Sequence, residues 1–146
     1  MKQLIILLLI SFNIQSQILK PSTRVVPIIT QVTQQVQDRL FTEPSFQQPI
    51  VYIDFSPLFP GILGLTRKID RGVYMVDLSP AFTNEELELV LLHELVHVWQ
   101  LHTEILGSDQ SFFIYRGLKY PFWFPYTLRP WEIEANEIAE EVCNPK

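Results

Sequence analysis

The segment His93-Glu94-Leu95-Val96-His97 sets two histidines four positions apart, with a carboxylate directly after the first. On an α-helix, residues four apart stand one above the other on a single face, so both imidazoles can present a ring nitrogen to one metal ion. With His93 at zero degrees, His97 lies at about +40 degrees, Gln100 at about −20 degrees, and Glu94 at about 100 degrees, bordering the same cleft. The opposite side of the helix carries Leu87, Leu91, Leu95 and Val98, an apolar stripe that must face a core. Polar groups gathered on one side of an otherwise buried helix are costly unless something binds them. A chance HExxH in a chain this long has a probability on the order of a few in a thousand, which favours a metal site over two hydrogen-bonded core histidines. A hydrolytic zinc site takes three protein ligands and keeps one position for water, so this pair needs a third.

Downstream, Arg129-Pro-Trp-Glu-Ile-Glu-Ala-Asn-Glu-Ile-Ala-Glu-Glu141 offers two candidates, Glu132 and Glu134. On a helical wheel Trp131, Ala135, Ile138 and Val142 form the core stripe, with Ala139 on one border. Glu132 falls on the Ala139 border, where small side chains allow the HELVH helix to come close. Glu134 falls on the other border beside Ile138, about 160 degrees away around the helix.

HExxH followed by a helical glutamate in an ExxxD context resembles the gluzincin zinc metallopeptidases, and the small size and the sheet before the HELVH helix look most like the single-domain minigluzincins. The resemblance implies Zn²⁺ ligands at His93, His97 and Glu132, with Glu94 as general base. It implies an α+β fold: an N-terminal helix, a small and mainly antiparallel sheet, the HExxH helix, and a C-terminal helix carrying the third ligand. Asn136 stands where the family's pattern has Asp. Its amide oxygen can accept a hydrogen bond from a zinc histidine, without the charge. The match covers His93 to Gln100 and Pro130 to Ala139 by motif, and Ile50 to Leu78 only by architecture.

The implied activity is hydrolysis of a protein or peptide substrate by water that Glu94 deprotonates. By analogy with the family, the strand Val73 to Leu78 is expected to receive an extended peptide as a further strand. Tyr115, Tyr120, Tyr126, His102 and Arg129 are candidates to stabilise the oxyanion. Two rivals are a zinc-stabilised binding module without activity and a zinc hydrolase of a non-peptide amide such as a cell-wall bond. Glu94 argues against the first, because a purely structural site has no use for a base beside the metal.

Periodicity supplies the elements that must position these groups. Val25, Ile29, Val32, Val36 and Leu40 make one helical stripe over Ser22 to Phe41, with Pro27 in the first turns. Ile50 to Phe55, between Pro49 and Pro57, reads as a strand, and Leu63 to Ile69 with Val73 to Leu78 as a hairpin turning at Asp70-Arg71-Gly72. Thr83 and Glu86 form a T-x-x-E capping box that starts the HELVH helix at Asn84, with its end expected near Thr103. Gly107 to Arg129 is expected to be irregular, broken by Gly and Pro, and Pro130 opens the last helix. The run YPFWFPY within it is core packing, a wall of the cleft, or a loop for a membrane interface.

At 146 residues the chain has room for one core. Its 47% hydrophobic content is that of a folded globular protein, and a net charge of −5 with scattered Lys and Arg sets nucleic-acid binding aside. Cys143 is the only cysteine, so no internal disulfide forms. Lys2 and the apolar run Leu4 to Phe12 fit a signal peptide over residues 1–16, cut after Ser16, or an uncleaved N-terminal anchor; a buried N-terminal helix or strand is the alternative. Export to the periplasm or medium follows from the first, and membrane association through this segment or the aromatic loop from the second. The zincin-like domain then spans residues 20–146.

Overall fold

The computed structural model describes residues 6–7, 15–18, 26–43, 47–80 and 82–144. They form a small α+β domain of three helices and two sheets. The strands β1 (Ile6–Leu7) and β2 (Gln15–Ile18) pair antiparallel, and the cut expected after Ser16 falls within β2. The rest of the expected leader, Lys2 included, lies outside the described residues. Among the described residues no helix is long and apolar enough to cross a membrane.

Helix α1 (Val26–Leu40) takes Pro27 in its first turn, where a missing N–H costs nothing, and buries Ile29, Val32 and Val36 as the spacing requires. The chain returns through β3 (Ile50–Phe55), then β4 (Gly64–Asp70) and β5 (Val73–Leu78). Gly72 supplies the left-handed residue (φ 71°) at the β4–β5 turn. The first sheet has the order β1-β2-β3-β5-β4. Its inner pairs β2/β3 and β3/β5 are parallel; its outer pairs and the whole of the second sheet are antiparallel, so pairing across the two sheets is mainly antiparallel, as expected. The parallel pairing arises because α1 carries the chain back between β2 and β3.

That order corrects the expected docking strand. Val73 to Leu78 is bonded on both sides, by β3 and β4, so no peptide can add to it; among the described residues the edge strand on that side is β4.

Helix α2 (Asn84–His102) starts at the expected capping box. The Thr83 hydroxyl accepts from the Glu86 N–H at 3.2 Å, and the Glu86 carboxylate accepts from the Thr83 N–H at 2.9 Å. Leu87, Leu91, Leu92, Leu95 and Val98 join Val51, Ile53, Tyr74, Val76 and Leu78 in the main core.

The irregular reading of Gly107 to Arg129 is overturned. Strands β6 (Leu106–Ser108), β7 (Phe112–Tyr115) and β8 (Leu118–Pro121) form a second sheet, followed by a 3-10 turn at Tyr126–Leu128. The strands have only three or four residues each, too few for periodicity to register. The local sign was apolar Phe-Phe-Ile-Tyr before a two-residue turn, Arg116-Gly117, with both φ angles positive (48° and 80°). This sheet packs Phe113, Tyr115 and Tyr120 around the Trp131 ring at centroid distances of 5.0, 6.0 and 5.5 Å. Trp131 is thereby fixed at the start of α3 (Pro130–Cys143), which buries Trp131, Glu132, Ala135 and Ala139 and leaves Ile138 and Val142 half-buried.

Candidate metal centre

The close packing of α3 against α2 brings three groups to one point. His93 Nε2 lies 3.1 Å and His97 Nε2 3.2 Å from Glu132 Oε2, and the two Nε2 atoms are 2.9 Å apart. Small side chains at Ala135 and Ala139, both fully buried, allow the approach. Glu134, the other candidate, is not in this cluster and is bonded to Gln100 and Arg116.

The far side of each imidazole decides what its Nε2 can offer. His93 Nδ1 faces Asn136 Oδ1 at 2.9 Å, and His97 Nδ1 faces Gln100 Oε1 at 2.7 Å. Both oxygens are acceptors, so Nδ1 is the atom of each ring placed to donate, and a ring in that uncharged tautomer would turn a bare Nε2 lone pair inward. Two nitrogen lone pairs and a carboxylate oxygen thus point at one another within 3.2 Å. That is unfavourable unless a cation or a proton sits among them. Ligands about 2.0–2.1 Å from a tetrahedral zinc lie roughly 3.3 Å apart, close to these separations, and two imidazoles with a carboxylate are a zinc donor set. His93, His97 and Glu132 could therefore hold one metal ion.

The ionisation of the cluster reflects the same frustration. Burial disfavours protonated His97, but the Glu132 carboxylate overrides it and raises the pKa above the ordinary 6.5. Burial also works against ionised Glu132, yet His93 and His97, each able to donate once a proton sits on Nε2, and the Tyr126 hydroxyl hold its carboxyl well below the usual range.

Glu94 sits beside this cluster, 5% exposed, and burial pushes its carboxyl pKa up against the lowering effects of His97, the Thr66 hydroxyl and His93. The Thr66 hydroxyl reaches Glu94 Oε2 at 2.6 Å and its backbone oxygen at 3.0 Å. Gly64 lies so close that a Cβ there would stand 2.5 Å from Glu94 Oε1. Nothing in residue type marked Thr66 or Gly64 beforehand; their role comes from β4 lying across α2.

Of the five oxyanion candidates, only Tyr126 and Arg129 line the cleft that opens over these groups, a space of about 750 Å³. The Tyr126 hydroxyl donates to Glu132 Oε2 at 2.7 Å, and burial together with that carboxylate raises its pKa. Arg129 is committed elsewhere, donating to the Phe124 and Phe122 carbonyls at 3.1 and 3.2 Å. Tyr115 and Tyr120 pack on Trp131, and His102 bonds the Gln47 carbonyl and Tyr74 at the end of α2. The aromatic run divides its roles: Tyr120 and Phe124 pack together, Tyr126 faces the cleft, and Trp123 is 82% exposed.

No family model, curated protein or solved structure matches the chain significantly.

Proposed function

We propose that the chain is a zinc-dependent metallopeptidase of the gluzincin kind, with His93, His97 and Glu132 as metal ligands and Glu94 as general base. One observation carries the reading: with their Nδ1 atoms against the Asn136 and Gln100 amide oxygens, both histidines bring Nε2 together with Glu132 Oε2 at one point. A zinc ion there supplies a Lewis acid that polarises the substrate carbonyl and brings the pKa of water toward about 7.

The remaining work falls to the protein. Glu94, held by the Thr66 hydroxyl and buried, has its carboxyl pKa raised, which makes the carboxylate a stronger base toward water. As water adds to the peptide carbonyl, Glu94 accepts its proton and then returns it to the amine leaving as the C–N bond breaks. Tyr126, at the cleft wall, is the donor placed to meet negative charge on the carbonyl oxygen. An extended peptide has the unpaired edge of β4 to bond, beside Gly64 and Thr66. Burial of Glu94 next to the ligands supports hydrolysis over a metal-stabilised binding module.

Glu94→Gln tests the proposal. The variant should bind one zinc per chain, as the parent does, and lose cleavage in a broad peptide screen. A parent without zinc after purification in zinc-supplemented, chelator-free buffer sinks the metal reading. A variant that cleaves at the parental rate removes Glu94 as base, and a zinc-loaded parent that cleaves amides of other kinds but no peptide moves the substrate class.

A further inference from the structure

Glu134 lies outside the His93, His97 and Glu132 cluster, yet its bonds lead back to it. Gln100 is fully buried, and every polar atom of its amide is used. Its nitrogen donates to the Trp131 carbonyl at 3.0 Å and to Glu134 Oε2 at 2.8 Å, while its oxygen faces His97 Nδ1 at 2.7 Å. The other Glu134 oxygen accepts from Arg116 Nη2 at 2.6 Å. Arg116 occupies the first position of the β7–β8 turn at φ 48°, a left-handed conformation that disfavours any residue with a Cβ. Its guanidinium also bonds the Tyr115 hydroxyl at 3.1 Å. A continuous chain of bonds thus runs from an exposed arginine on the second sheet, through α3 and α2, to a ring whose other nitrogen faces the metal position.

The amide of Gln100 has two orientations with opposite consequences. As found, its oxygen keeps the His97 proton on Nδ1 and leaves Nε2 bare. Flipped, its N–H₂ would face Nδ1 and force the proton to Nε2, where it blocks metal ligation. The flipped amide would also set its oxygen against two acceptors, the Trp131 carbonyl and Glu134. A carboxylate is the stronger of these, since a hydrogen bond to an ionised acceptor is about twice as strong as a neutral one. We propose that Glu134, anchored by Arg116, is a positioning residue that locks the Gln100 amide and through it the tautomer and orientation of His97. The proposal rests on the metal reading above.

The test compares the parent with Glu134→Ala, Glu134→Gln and Thr83→Ala, the last a helix-cap variant remote from the centre that sets the baseline for general destabilisation. Zinc dissociation constants come from competition with a chromophoric chelator, and the His97 Nδ1–H resonance of each zinc-loaded, histidine-labelled protein from ¹⁵N–¹H NMR. Glu134→Ala should weaken zinc binding by about 10-fold, the lower end of the cost of losing the direct partner of a metal histidine, since Gln100 stands between, and shift or broaden that resonance. Glu134→Gln keeps one acceptor oxygen without the charge and should fall between Glu134→Ala and the parent, while Thr83→Ala should leave both readouts at the parental value. Parental zinc affinity with an unchanged resonance in Glu134→Ala overturns the proposal. So does an equal loss of affinity in Thr83→Ala. A parent that binds no zinc instead defeats the metal reading, and the positioning role with it.

Discussion

At the scale of single residues, the centre is defined by which atoms are left with free lone pairs. The Tyr126 hydroxyl rests on Glu132 Oε2 at 2.7 Å and borders the open cleft. If it turns to meet an oxyanion, Tyr126→Phe should lower kcat by about 10²–10³-fold at saturating zinc, the cost of removing one such donor. Zinc affinity should change far less, because the ligands remain. Steady-state kinetics beside a zinc titration check this, and a variant with parental kcat removes Tyr126 from that role. The side chains that cluster here were legible in sequence because much of their spacing is local: His93 and His97 share a helical face, and Asn136 follows Glu132 by one turn. Choosing Tyr126 among five candidates was not, because their distances to the centre depend on the second sheet and the turn after it, whose short strands carry no periodic signal.

At the scale of elements, the site depends on how closely β4 and α2 approach. Only a hydrogen side chain fits at residue 64, since a Cβ would meet Glu94 Oε1 at 2.5 Å, Cγ at 2.7 Å and Cδ at 2.8 Å. Gly64→Ala should therefore push the Glu94 carboxylate out of its place beside Thr66. Misplacing a reacting group by about 1 Å costs on the order of 10²-fold in rate, so activity should fall by that order while zinc stays bound. Parallel measurements of zinc content and peptide cleavage decide it, and full activity in Gly64→Ala would show that Glu94 does not work from this position. The three helices were legible because each announces its start or its stripe: Pro27, the Thr83–Glu86 box, Pro130. Strand order was not, since the same alternating residues in β5 serve an edge or an interior position, and the pairing that makes β5 interior comes from residues far away in sequence.

At the scale of the whole molecule, the convergence of lone pairs makes stability depend on pH with a sign set by the metal. In the metal-free chain the frustrated cluster is relieved by protons. His97 has a pKa raised by Glu132 above 6.5, and Glu94 has one raised by burial above 4.5. A group whose pKa is higher folded than unfolded stabilises the fold fully below the unfolded value and loses that stabilisation as pH rises through the folded value. The metal-free protein should therefore become less stable as pH rises from about 4.5 through neutrality. Glu132 acts oppositely, but its depressed pKa confines its loss of stabilisation to acid below about 4.5. Bound zinc should invert the neutral-range trend, because it would take unprotonated imidazoles and be displaced as His97 takes up a proton. At a free zinc concentration one hundred times Kd, binding adds about 2.7 kcal/mol, or roughly 5–10 °C in Tm for a domain of this size. The two melting curves, one with zinc and one with chelator, should accordingly lie furthest apart at the alkaline end and draw together toward pH 5. Thermal unfolding across that range provides the measurement. Parallel pH profiles with a constant gap would show that zinc, where it binds, does not compete with the protons of this cluster.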